Sequence, residues 1–124
     1  FNAVGCAKCH RPSFTTGSSP IAALAYRTFT PFTDLLMHDM GPGLDDGYTE
    51  GSATSAEWRT PPLWGLGSFP ASQGGSYFLM HDGRARSIEE AISMHGGEGD
   101  AARIAYNAAP STDRAHLLSF LRSL

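Results

Sequence analysis

The sequence has no long hydrophobic run and little charge. No apolar stretch approaches the ~18–20 residues that span a bilayer, so we do not expect a membrane-crossing helix. Charged residues make up 17% of the 124 residues, and the net charge is −3. No basic run is present, and binding to a phosphate backbone needs concentrated positive charge. Nucleic acid is therefore not an expected partner.

Cysteine is also scarce, and its placement is informative. The only two cysteines, Cys6 and Cys9, belong to a C-x-x-C-H run that ends with His10. This is the attachment pattern of c-type haem. Two thiols three positions apart on a helical turn can reach the two vinyl groups on one porphyrin edge, and the next histidine then lies under the iron. A thioredoxin-like pair needs a βαβ context and a zinc site needs a second ligand pair, and neither is visible. The run predicts one covalent haem c per chain, with His10 as the proximal iron ligand.

The length suits one domain, so residues 1–124 are interpreted as a single c-type cytochrome domain. Residues 1–10 are expected to be the end of a helix that carries the haem turn. A second helix is predicted over residues 88–95, since Ser87 and Glu90 form a capping box before it and Gly96 and Gly97 end it.

A third helix is predicted over residues 113–124. Ser111 or Thr112 caps it, and its leucines follow the helical period. The remaining residues indicate loops and short helices, with little strand signal. We therefore predict a mainly α, cytochrome c-like domain, with few helices around a covalent haem and long loops.

A cytochrome iron commonly has a second axial ligand. His95 shares one helical face with Ile88, Ala91 and Ile92, and that face is expected to be buried. His95 is therefore the preferred sixth ligand. Met40, in a glycine-proline loop, is the main alternative, and an open sixth position is kept as a third possibility. His116 is interpreted as a surface residue.

Several motifs resemble a known family in their order along the chain. Besides C-x-x-C-H, they are LMHDMGPGL at residues 36–44, EWRTPPLWG at 57–65, HDGRAR at 81–86, EEAI at 89–92, HGG at 95–97 and LSFLRSL at 118–124. Together they resemble the bacterial di-haem oxidoreductases, often labelled thiol oxidoreductases, which are relatives of the di-haem cytochrome c peroxidases. The resemblance covers nearly the whole chain and is to the C-terminal haem domain.

The resemblance implies a role and a setting. In the peroxidase relatives the C-terminal haem is the six-coordinate, electron-transfer haem, so this chain is expected to relay electrons to a second haem. The chain is then a fragment of a longer di-haem protein of the bacterial periplasm or cell surface. Its expected partner is the second haem domain of the same protein or a small redox protein. A free-standing small cytochrome and a haem peroxidase with an open sixth site are the alternatives.

The resemblance also bears on individual residues. The axial methionine of the relatives falls on His95, and a second imidazole should lower the reduction potential. The relatives bind calcium partly just before the His-Asp-Gly motif, but residues 76–80 lack the usual Thr and Pro, so calcium is not predicted. Arg59 is a candidate partner for a haem propionate. His81, with Asp82, resembles a pair close to the haem, although an Asp-Gly turn explains Asp82 equally well.

Overall fold

The structure is a computed structural model that describes all residues from 1 to 124. Its strands are β1 (Phe14–Thr15), β2 (Thr28–Phe29), β3 (Met37–Asp39) and β4 (Glu57–Arg59). Its α-helices are α1 (Phe69–Ser72), α2 (Ile88–Ser93), α3 (Asp100–Ala108) and α4 (Ser111–Arg122). Short 3₁₀ turns cover Cys6–Lys8, Ala22–Leu24, Leu66–Ser68 and Gly97–Gly99. No helix is both long enough and apolar enough to cross a membrane.

The prediction of a mainly α fold is wrong. The chain is 35% helical and 11% strand, with two small antiparallel sheets, and is therefore a mixed α and β structure. β1 pairs with β2, and β3 pairs with β4 so that His38 lies opposite Trp58. These strands have two or three residues each, too few to show the alternation by which a strand is recognised in a sequence.

The helices predicted over residues 88–95 and 113–124 are present with shifted bounds. The Ser87 hydroxyl accepts a hydrogen bond from the backbone N–H of Glu90 at 3.0 Å, which starts α2 as expected. The Glu90 carboxylate accepts from the Arg86 N–H rather than from Ser87, so the capping box closes one residue early. α4 begins at Ser111, after Pro110, without a side-chain cap. The first ten residues contain a 3₁₀ turn and not the end of an α-helix.

A small apolar core joins the helices to the N-terminal segment. Its buried members are Leu66, Ile88, Tyr106, Leu117 and Leu121, which come from the 3₁₀ turn before α1 and from α2, α3 and α4. Phe1, Val4 and Ile92 pack against it from outside. The segment that carries the cysteines is thus attached to the same core as α2.

Candidate haem-binding site

Cys6 and Cys9 lie at either end of the 3₁₀ turn near the N-terminus. Gly5 starts the turn with a left-handed backbone (φ 92°) that glycine adopts without steric cost. The cysteines form no disulfide, and both side chains are half-buried. Burial raises the pKa of both thiols, and the carboxylates of Asp34 and Glu98 raise that of Cys9 further. Both sulfurs are therefore held as neutral thiols near neutral pH.

His10 follows the turn, and its ring is held by a backbone carbonyl. Nδ1 of His10 donates a hydrogen bond to the oxygen of Phe32 at 3.1 Å. Phe32 has a positive φ of 55°, a conformation that costs a non-glycine residue energy and persists only when neighbours fix it. Thr33 fixes the backbone of Phe32, because Thr33 is fully buried and its N–H donates to the Arg11 carbonyl at 3.0 Å.

His95 lies two residues beyond the end of α2 and turns inward, as the helical period predicts. Its Nδ1 donates to the carbonyl of Ala91 at 2.7 Å. The ring packs against the backbone of Gly99, where an added Cβ would lie 3.2 Å from Cδ2 of His95. The methyl group of Met40 would lie 3.3 Å from the same added Cβ. Met40 and His95 therefore occupy the same side of the site.

The two histidines share one arrangement and lie near each other. Burial lowers the pKa of His10 and of His95, and positive charge on His95 lowers that of His10 further. Both rings are therefore neutral near neutral pH. Since Nδ1 of each ring donates to a carbonyl, Nε2 carries the free lone pair, which is the usual arrangement of a metal-binding histidine. Two thiols on one turn and two imidazole lone pairs form a donor set that fits haem.

Three phenylalanines hold the cysteine turn against α4. The rings of Phe1 and Phe120 lie 5.3 Å apart, and Phe32 lies 5.8 Å from each of them, in edge-to-face geometry. Such pairs stabilise by about 0.5–1.5 kcal/mol beyond burial. The residue whose carbonyl orients His10 is thereby fixed to the last helix.

His38 links the cysteine turn to the segment after His95. Its Nε2 lies 2.9 Å from Oδ2 of Asp34, and its Nδ1 lies 2.9 Å from Oε2 of Glu98. The hydrogen bond to Glu98 raises the pKa of His38, and the Asp34 carboxylate adds to this. The sulfur of Cys9 is 3.9 Å from Nδ1 of His38. The partners of His38 are thus two carboxylates from other segments, and not the neighbouring Asp39.

A close backbone contact brings Glu98 to this position. A Cβ on Gly97 would lie 2.2 Å from the carbonyl oxygen of Asp39, so only glycine allows the two segments to touch. Glu98 also accepts a hydrogen bond from the Asp39 N–H at 3.0 Å. Asp34 and Glu98 were missed in the sequence because they lie on different segments. The HGG run after residue 94 was the one available signal.

The remaining predicted site residues lie around β4. Arg59 is exposed in β4 and takes part in no ion pair. His81 stacks on Trp58, with ring centroids 3.6 Å apart and an angle of 7° between the planes. Asp82 accepts hydrogen bonds from the backbone and side chain of Arg84 and makes none with His81. The proposed contact of Arg59 with a propionate stays a prediction.

The donor set is that of a haem-binding protein, and comparison with known families agrees. The family model described as "Di-haem oxidoreductase, putative peroxidase" matches residues 1–124, the whole chain. The chain therefore belongs to this family of haem-binding, peroxidase-like oxidoreductases. No curated protein and no solved structure shows significant similarity to the chain.

Proposed function

We propose that this chain is the c-type haem electron-transfer domain of a di-haem oxidoreductase. In this proposal Cys6 and Cys9 would hold one haem through thioether bonds, and His10 and His95 would ligate its iron. The observation that supports it best is that the two histidines are held in the same way. Each is half-buried, neutral and held through Nδ1 by a carbonyl, at 3.1 Å and 2.7 Å.

The chain's residues favour electron relay over reaction with peroxide at this iron. Haem supplies reversible one-electron exchange when bound. The carbonyls of Phe32 and Ala91 fix the orientation of the two rings and increase the basicity of Nε2. His10 and His95 would both hold the iron, and this would favour electron exchange over the binding of peroxide. Two imidazole ligands also favour a lower reduction potential than a histidine and methionine pair.

The expected electron partner is a second haem. The family is di-haem, whereas the two cysteines of this chain suffice for one attachment. A second haem domain of the same protein is therefore the first candidate, and a small redox protein is the other. Covalent haem attachment takes place outside the cytoplasm, which supports a bacterial periplasmic or extracellular setting. The mass of the native protein tests the alternative of a free-standing small cytochrome.

Arg59 is proposed to pair with a haem propionate. Its guanidinium has no carboxylate partner within the chain, and it neighbours Trp58, whose indole N–H donates to the Leu44 carbonyl at 2.9 Å. The stacked His81 covers one face of that indole. Arg59→Gln should therefore lower the reduction potential, since a positive charge near the haem edge is lost.

The axial assignment is tested with four single substitutions in the haem-loaded chain. His95→Met should raise the midpoint potential and add the far-red absorption of sulfur ligation. His116→Met, on the exposed side of α4, is the matched control and should change neither. Met40→Leu should leave the spectrum unchanged. If Met40→Leu loses the low-spin spectrum and His95→Ala keeps it, Met40 is the ligand and the proposal is contradicted.

A further inference from the structure

A second group of metal-binding side chains lies beside the haem site. The sulfur of Cys9, a carboxylate oxygen of Asp34 and a ring nitrogen of His38 lie within 4.8 Å of one another. The carboxylate of Glu98 approaches the same histidine from the other segment. We propose that the haem-free chain binds one thiophilic divalent cation, of the zinc type, through Cys9, His38 and Glu98.

The distances fit one ion bound between the sulfur and the histidine. Tetrahedral zinc with Zn–S of ~2.3 Å and Zn–N of ~2.0 Å separates its sulfur and nitrogen ligands by about 3.6 Å. The observed separation of Cys9 Sγ and His38 Nδ1 is 3.9 Å. Oε2 of Glu98 lies 2.9 Å from the same nitrogen. Cys9 and Glu98 therefore both approach the same nitrogen of His38, and rotation of their side chains would bring them onto one ion.

The surroundings also favour a cation at this point. Asp34 faces Nε2 of His38 at 2.9 Å, opposite the nitrogen that would bind the metal. A carboxylate in that place orients a metal-binding histidine and makes it more basic. His38 is itself a cation held between two carboxylates when protonated. Binding would displace the thiol proton of Cys9 and the Nδ1 proton of His38, with Glu98 turning from hydrogen-bond acceptor to ligand.

The consequence is competition for one sulfur. A Cys9 thiolate bound to zinc is not available to form a thioether, and a thioether sulfur no longer offers a thiolate. Metal binding should therefore occur before haem attachment and be lost after it. Zinc added beforehand should lower the fraction of chains that attach haem at Cys9.

Cobalt(II) titration of the haem-free chain tests the site, because a thiolate ligand gives a charge-transfer band. The band is expected in the unmodified chain at one cobalt per chain and should be competed away by zinc. Cys9→Ser should abolish the band, whereas Cys6→Ser, the matched control on the same turn, should keep it with affinity within about twofold. Glu98→Gln should weaken binding about tenfold or more. A band that survives Cys9→Ser, or is lost only in Cys6→Ser, would overturn the proposal.

Two measurements keep the test decisive if a variant unfolds. In the unmodified haem-free chain, zinc should protect Cys9 more strongly than Cys6 from alkylation, as read by peptide mapping. The haem-loaded chain should show no cobalt–thiolate band. Equal protection of both cysteines, or the same cobalt band with haem attached, would refute the site. The cobalt titration, the substitutions and the alkylation test all use the haem-free chain, so their failure is distinct from failure of the electron-transfer proposal.

Discussion

Thr33→Val removes one buried hydroxyl next to Phe32, the residue whose carbonyl accepts the hydrogen bond of His10. The Thr33 hydroxyl donates to the carbonyl of Thr60 at 2.6 Å and accepts from the N–H of Leu35 at 2.9 Å. Thr33 is 0% exposed, so its hydroxyl has no contact with water. Valine has nearly the same shape, and the substitution therefore changes the hydrogen bonds and not the packing.

The expected loss follows from these two contacts. A hydrogen bond contributes about 1 kcal/mol, and a buried partner left unpaired costs about 1–3 kcal/mol. We expect Thr33→Val to lower the free energy of unfolding by about 2–3 kcal/mol. For a domain of this size that corresponds to a decrease in Tm of about 10 °C. Phe32 and Leu35 both have positive φ, so releasing Thr33 should also loosen the carbonyl that orients His10.

The assay is urea and thermal unfolding of the haem-free chain, followed by circular dichroism. Thr30→Val is the matched control, since Thr30 is exposed on the same segment, and its stability should change by less than about 0.5 kcal/mol. Equal stability of Thr33→Val and Thr30→Val would show that the buried hydroxyl does not hold this segment. In that case the orientation of His10 would need another explanation.

Three further outcomes follow from the same structure and can be measured by unfolding. Gly97→Ala should lower the free energy of unfolding by about 2 kcal/mol or more, because the added Cβ clashes with the Asp39 carbonyl and the residue has a left-handed backbone. Gly51→Ala is the control: Gly51 also has a left-handed backbone but open space around it, so the loss should be only about 1 kcal/mol. Ser87→Ala should lower the free energy of unfolding by about 1 kcal/mol through loss of the α2 cap. Ser119→Ala, on the exposed side of α4, should leave the stability unchanged, and equal losses in the two variants would contradict the capping role. Because burial lowers the pKa of both candidate axial histidines, the unfolded chain binds more protons below about pH 6.5, so their contribution to stability should fall as the pH decreases from 7 towards 5. Replacing His10 or His95 by glutamine should weaken this dependence of stability on pH. If the dependence is unchanged in buffer that contains a chelator, these histidines are not its cause.

Local signals in the sequence predicted the parts of the fold that are themselves local. The start of α2 follows from the side chain of Ser87, and the inward direction of His95 follows from the helical period. α3 was missed although Asp100 stands at its first turn, because three glycines just before it indicate a loop. The strands were missed because β3 and β4 join segments about twenty residues apart and each has three residues.

The site divides in the same way. The cysteines and His10 are contiguous and could be found from the motif alone. The cluster around His38 depends on the contact of Gly97 with Asp39, which brings together residues 60 positions apart. No local pattern contains that contact. The carbonyl of Phe32 was equally hidden, since its position depends on an unusual φ and a buried threonine.

We propose that His10 and His95 ligate one covalently attached haem. Absorption spectra of the purified, haem-loaded chain, oxidised and reduced, with extraction into acidified solvent, test it most directly. We expect a low-spin, six-coordinate spectrum without the far-red band of sulfur ligation, and haem that stays with the protein. Extractable haem would contradict attachment at Cys6 and Cys9, and a high-spin spectrum that changes on adding peroxide would remove His95 as a ligand and make this iron a site of reaction.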